Sequence, residues 1–278
     1  MNTVTIEDVQ KLMRSKPDSH KGQNGKFLII GGSYLFHAAS LWSLTVASRI
    51  VDLVHYSSIP ENNEIVHELK KEFRNGMVVS RDDVEDYIKE DDVILIGPGM
   101  TRDEETKTLT DKLLQKYPEK QWVLDAGALQ MVELENIPKN AILTPHHQEF
   151  ELLKIKDQKS DIKNTNQILK TEEQVYEFAR THNCIILLKG QKDIASNGEE
   201  LRVIEGGNAG MTKGGTGDVL AGLIAALACK NDPWISTLAG SFINKKAGDD
   251  LYVTVGPFFN ATDLANQIPK TMKTLLSF

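Results

Sequence analysis

Among its 278 residues the chain has only two cysteines, no excess of positive charge and no apolar run long enough to cross a bilayer. It also shows no internal repeat and no low-complexity tail. Each shortage excludes something. Cys184 and Cys229 lie inside the apolar runs CIILL and AALAC without metal-ligand spacing, which points to buried thiols rather than a disulfide or a zinc site. Lys plus Arg total 32 against 39 Asp plus Glu, a formal charge of −7. No general attraction therefore draws the chain to nucleic acid or to an anionic membrane, and an anionic small molecule must be held by a local site. No apolar stretch reaches the roughly 18 residues a membrane span needs. The N-terminal MNTVTIEDVQKLMRS lacks the apolar centre of a signal peptide. A cytoplasmic protein is expected, with neither nucleic acid nor membrane as partner.

What is present is an alternation of short apolar runs with amphipathic stretches, the pattern of a mostly parallel sheet flanked by helices. KFLII (26–30), VDLVHYS (51–57), DVILIG (92–97), WVLDA (122–126), AILT (141–144) and CIILLK (184–189) are the expected strands. Apolar spacing predicts helices over 37–50, 103–117 and 171–182, and again over 215–229, 233–250 and 261–275. DIASNGEELRVIE, with Asn197-Gly198 at its centre, has the signature of a hairpin. The most polar segment, 154–167, is too short to separate two domains. At this length one or two domains are possible, and a single α/β domain over 1–278 is the economical expectation.

GNAGMTKGGTGDVLAG (207–222) concentrates glycine just before VLAGLIAALAC, a stretch apolar around its whole circumference and so expected to be a buried helix. Glycines at a helix start let unpaired backbone amides approach an anion closely. Asp218 follows them in the first turn. The segment lacks the Lys-Ser/Thr ending of a P-loop and the spacing of a dinucleotide fingerprint. A second candidate constellation is LTPHHQEFELL: Thr144 and Pro145 suit an N-cap and first helical position, which would put His146 and Glu149 on one helix face. It matches neither HExxH nor HxxEH, because Phe150 follows the Glu.

GNAGMTKGGTGDVLAG resembles the GNPGMATGGTGDVLAG signature of the nucleotide-dependent NAD(P)H-hydrate dehydratases, a branch of the ribokinase-like superfamily. HKGQNGKFLIIGGS, IGPGM, VLDAGAL, LTPHHQEFELL and LLKGQKDIASNG follow the family order along nearly the whole chain. The resemblance implies a three-layer α/β/α ribokinase-like fold and a repair reaction. In it ATP or ADP, with Mg²⁺, phosphorylates the ring hydroxyl of NADH hydrate or NADPH hydrate; phosphate then leaves and the reduced cofactor returns. It implies Asp218 as the base, ionised at neutral pH if its pKa lies near the usual ~3.9, and Gly214, Gly215, Thr216 and Gly217 as the anion hole. It further implies Ala39, Gly99, His146 and Asp218 at the hydrate, and Glu149 at the metal. The nucleotide contacts it implies are Lys189, Gly190, Gln191, Lys192, Asp193, Asn208 and Gly217. A homo-oligomer is expected, without the epimerase domain fused to some relatives. The chain departs from the family pattern at HHQE for HPGE, at DAGAL for DADAL and at HAAS for PGAA, and it adds Lys213 beside the anion hole. An alternative acceptor, a small alcohol such as a vitamin precursor, stays open, as does a binding protein without turnover.

Overall fold

The computed structural model describes residues 2–159 and 170–277. From the N-terminus run β1 (Asn2–Thr3), α1 (Ile6–Val9), β2 (Lys26–Ile30), α2 (Ala39–Ala47), β3 (Leu53–Ser57), α3 (Pro60–Leu69), β4 (Met77–Val78), α4 (Val84–Glu90) and β5 (Val93–Ile96). These are followed by α5 (Glu104–Lys116), β6 (Gln121–Leu124), α6 (Ala126–Met131), β7 (Ile142–Leu143), α7 (His147–Lys159), α8 (Thr171–His182) and β8 (Ile185–Leu188). The chain ends with β9 (Asp193–Ser196), β10 (Leu201–Ile204), α9 (Thr216–Ala228), α10 (Pro233–Val255) and α11 (Ala261–Leu275).

The strands form one ten-stranded sheet in the order β1-β10-β9-β8-β7-β6-β5-β2-β3-β4. Every pair is parallel except those of β9, which runs against both β8 and β10. The central strands are continuous apolar runs because both faces of the sheet are covered. Leu28, Ile30, Ile94, Ile96, Leu124 and Ile186 face α4 to α8. Phe27, Ile29, Leu95, Val123 and Leu187 face α2, α9 and α10. Behind that second layer, α11 packs Leu264, Ala265 and Ile268 onto α9 and α10. The arrangement is the expected three-layer α/β/α sandwich, and no helix among the described residues is long and apolar enough to cross a membrane.

The hairpin joins β9 and β10 across Asn197-Gly198, where Gly198 has φ +83° and the Asn197 carboxamide accepts from the amides of Glu199 and Glu200. Other boundaries shift. The strand expected over 122–126 ends at Leu124: Asp125, still extended, takes the N-cap position of α6, and Ala126 turns the chain at φ +47°. β1, β4, α1, α3, α4 and α6 belong to segments where no element was expected. Of the polar run 154–167, the first six residues extend α7 and 160–167 lie outside the described residues.

α9 buries eleven of its thirteen residues, since the sheet, α2, α10 and α11 surround it. Gly222 makes that packing possible: a Cβ there would lie 2.6 Å from the Ser43 Cα of α2. Alanine favours a helix over glycine by about 1 kcal/mol, but the neighbour here is backbone and cannot rotate away. Overpacking of this kind costs about 1–3 kcal/mol. Gly222→Ala should therefore lower stability in urea titration despite its better helix propensity; equal or greater stability would contradict the close α2/α9 approach.

Candidate active site

The C-terminal ends of β2, β5, β6, β7 and β8 meet along one edge of the sheet, where ligands gather in open α/β folds. They approach one another closely because two positions carry no side chain. Gly97 has φ +123°, and a Cβ there would sit 1.7 Å from the Asp125 carbonyl oxygen; at Gly127 it would sit 2.2 Å from that of Met100. The second value accounts for DAGAL: no side chain, acidic or otherwise, fits at position 127 of this chain.

The start of α9 enters the same edge from the helical layer. Gly215 is its N-cap with φ +94°, and the space a side chain would need is taken by the Trp42 ring and Ala261. Gly214, by contrast, has nothing within 4 Å of its missing Cβ, and Gly217 has only the Lys189 ammonium, 3.5 Å away. Among the described residues none accepts a hydrogen bond from the amides of Gly214, Gly215 or Gly217. Gly215 thus serves the turn and the packing, while Gly214 and Gly217 leave the amides open to a ligand. Unpaired helix-start amides carry the positive end of the helix dipole, which suits a phosphoryl group.

This loop separates two clefts. The first, of about 620 Å³, is lined by Phe36, Ala39, Trp42, Gly99, Met100 and Gln130 and ends at Gly214, Gly215 and Asp218. The second, of about 760 Å³, is lined by Lys189, Gly190, Gln191, Asn208, Thr216 and Gly217. One wall therefore offers a mostly apolar slot with a carboxyl group on one side, and backbone amides with a lysine on the other.

Buried charges hold the wall together. The Lys189 ammonium lies 2.8 Å from Asp125 Oδ1, which also accepts 2.8 Å from the Thr144 hydroxyl. Burial works against the Lys189 charge, but Asp125, Glu149 and Asp218 outweigh it and raise its pKa above the ordinary lysine value. Glu149 is buried; Gln130 Nε2 donates to its Oε1 at 2.9 Å and the His146 amide to its Oε2 at 2.8 Å. Asp218 is pushed up to about 7, first by burial and then by the Asp125 charge, with Lys189 offsetting part of the rise. At neutral pH its carboxyl is therefore divided between its two protonation states, not fully ionised as an ordinary aspartate would be.

The candidate residues of the sequence divide between these features. Ala39, Gly99 and Asp218 line the first cleft; Lys189, Gly190, Gln191, Asp193, Asn208 and Gly217 line the second. His146 lines the second cleft rather than sharing the first with Ala39 and Gly99, and its Nδ1 accepts from the Glu149 amide at 3.3 Å. Thr144 is not the cap of α7, which begins at His147; its hydroxyl is engaged by Asp125, and His146 and Glu149 exchange the bonds of a capping pair. Lys192 points away to Glu205, and the Asp193 carboxylate is turned inward to Ser241 and Lys245. Lys213 is exposed, and its ammonium donates to the Pro257 carbonyl and lies over the Phe259 ring, not among the loop amides. His37 binds the Asn62 carboxamide through Nδ1. Trp42, Gln130 and Lys245 escaped the sequence reading, because their partners are distant in the chain and no local motif marks them.

A profile described as NAD(P)H-hydrate dehydratase matches residues 27–270. The ADP-dependent (S)-NAD(P)H-hydrate dehydratase of Nitrosopumilus maritimus is 36% identical over 98% of this chain and 96% of its own length. The bifunctional NAD(P)H-hydrate repair enzyme of Methanocaldococcus jannaschii is also 36% identical, over 96% of this chain but 52% of its own length. The chain thus spans about half the length of the curated relatives of that bifunctional kind. In fold it is similar to the ADP/ATP-dependent NAD(P)H-hydrate dehydratase of Bacillus subtilis crystallised with ATP/Mg²⁺, with a TM-score of 0.81 at 24% identity over 99% of this chain and 98% of the other. Glycine loop, buried carboxyl group, strand-end architecture and nearly full-length identity converge: the chain belongs to the NAD(P)H-hydrate dehydratase family, within the ribokinase-like fold.

Proposed function

We propose that this protein dehydrates NAD(P)H hydrate at the expense of ATP or ADP. The observation that carries the reading is the shared wall: Asp218 faces one cleft while Gly217 and Lys189 face the other. The hydrated nicotinamide occupies the first cleft, against Ala39, Gly99, Phe36 and Trp42, and the nucleotide occupies the second. Asp218 takes the proton of the ring hydroxyl as its oxygen attacks phosphorus, and the O–P bond of the donor breaks. The Gly214, Gly215 and Gly217 amides meet the negative oxygens of the group in transfer, with Thr216 holding the loop through its hydroxyl bonds to the Met211 and Lys213 carbonyls. In the phosphorylated hydrate the ring nitrogen donates its electron pair, the C–O bond breaks and phosphate leaves. The neighbouring carbon loses a proton, which restores the double bond.

Magnesium belongs to this scheme as a companion of the nucleotide. Among the described residues no three His, Cys, Asp or Glu side chains form a metal cage, and Mg²⁺ is ordinarily held by phosphates, water and one or two carboxylates. Glu149 would take that part from just behind the cleft lining, next to His146, which borders the second cleft with its Nε2 3.5 Å from Glu149 Oε1; each Glu149 oxygen accepts a single hydrogen bond. The ion supplies charge neutralisation at the phosphates. Lys189, held by Asp125, supplies positive charge from the protein, and His146 borders the same cleft.

The pKa of Asp218 sets a pH dependence. The group must be deprotonated to act, so kcat/KM should fall about tenfold per unit as pH drops below about 7, and level off above it. A profile flat from pH 5.5 to 8 would remove Asp218 from the base role.

Asp218→Asn keeps the shape and loses the base, and should lower kcat by about 10²- to 10⁴-fold while nucleotide affinity persists in calorimetry. Near-normal turnover would contradict the assignment.

Product balance tests the reaction itself. Reduced cofactor, free phosphate and spent nucleotide should appear in equal amounts from NADH hydrate or NADPH hydrate with Mg²⁺ and ATP or ADP. A stable phosphoester of a vitamin-like alcohol, with no action on the hydrate, would make the protein a small-alcohol kinase instead.

A further inference from the structure

Asn244, on α10, is buried to 4% exposure and lines the second cleft. Its side-chain Oδ1 has no hydrogen-bond partner among the described residues. A buried amide oxygen left unpaired forfeits its hydrogen bond to water without replacement, so its presence beside a cleft asks for a ligand. Its polar neighbours are differently placed. The Lys245 ammonium donates to the carbonyls of Gly190 and Gln191 at 3.1 Å and of Gly206 at 3.3 Å, and pairs with Asp193. The Asn208 side chain donates to Asp249 at 3.0 Å and accepts from the Gly210 amide at 3.0 Å.

Position within the cleft narrows the ligand group. Gly217 and Lys189 mark the phosphate end. Leu220 lies one turn of α9 deeper, and Met211 packs on Gly248, one turn of α10 from Asn244. Two apolar side chains with one amide suit a flat heterocycle, whereas a phosphate would need a cation or open amides. An amide presents an acceptor and a donor side by side, the complement of adenine's amino group next to a ring nitrogen.

We propose that Asn244 reads the adenine of the donor nucleotide through the exocyclic amino group of the base. The proposal rests on the nucleotide occupying the second cleft. It assigns the specificity for the donor to α10, on the far side of α9 from the acceptor slot.

Calorimetric titration of the full chain with Mg²⁺ and three probes tests it: ADP, purine riboside 5′-diphosphate, which lacks the amino group, and 3′-deoxy-ADP. Wild-type protein should bind the amino-less analogue roughly ten- to a hundredfold more weakly than ADP. Asn244→Leu should weaken ADP by a similar factor and bind ADP and the amino-less analogue alike, while its loss on 3′-deoxy-ADP relative to ADP stays as in the wild type. Asn244→Ala replaces the leucine variant if thermal melting shows the latter unfolded. Equal binding of the two purines by the wild type, or unchanged discrimination in the variant, would overturn the proposal. So would loss of discrimination against 3′-deoxy-ADP instead, which would make Asn244 a ribose contact. Wild-type protein that turns over the hydrate but discriminates nothing leaves the site reading standing without this assignment; failure to bind ADP at all would bring down both.

Discussion

Three carboxyl groups, buried Asp125 and Glu149 and half-buried Asp218, crowd the wall between the clefts with one half-buried lysine, Lys189. Removing so much negative charge from water is tolerable only if each group is hydrogen-bonded, paired or protonated. Asp125 takes the lysine and the Thr144 hydroxyl; Glu149 takes Gln130 and the His146 amide. Asp218 is left with the least compensation, and its pKa rises to about 7. A base poised near neutrality is the value that proton abstraction at cellular pH favours. Much of the surrounding architecture keeps these groups together. The bare backbones of Gly97 and Gly127 let strand ends and α6 close in, and Gly222 lets α9 lie against α2.

The glycine loop and the buried helix after it were legible in the sequence because both depend on local composition. The same holds for the hairpin at Asn197-Gly198 and for α11, whose Ala261–Leu275 span matches the expected 261–275. β1 and β4, two residues each, are too short to show any period. Asp125 and Thr144 read as strand and helix cap by local rules, yet Thr144 donates to Asp125, and Asp125 also takes the ammonium of Lys189, 64 residues beyond it. Such long-range pairing leaves no mark in a single sequence. The raised pKa of Asp218 has the same origin, since its causes are burial and neighbours brought by other elements.

The departures from the family pattern have local explanations that spare the wall. Gly127 answers to the Met100 carbonyl. His37 joins a polar cluster in which the Asn62 side chain also donates to Ser58 and to the Ser33 carbonyl. His147 packs over Gly190, its Nε2 3.1 Å from where a Cβ would stand. Of the changed positions His37, Ala38 and Gly127 line the first cleft, while Asp218, Lys189 and the loop amides keep their places.

The central claim is that one wall divides donor from acceptor, and a crystal structure of the protein with a non-hydrolysable ATP analogue, Mg²⁺ and NADP⁺ tests it most directly. The account predicts phosphates at the Gly214–Gly217 amides with the rest of the nucleotide in the second cleft, and the nicotinamide ring beside Asp218 in the first. Both ligands in one cleft, or phosphates away from the loop, would contradict it.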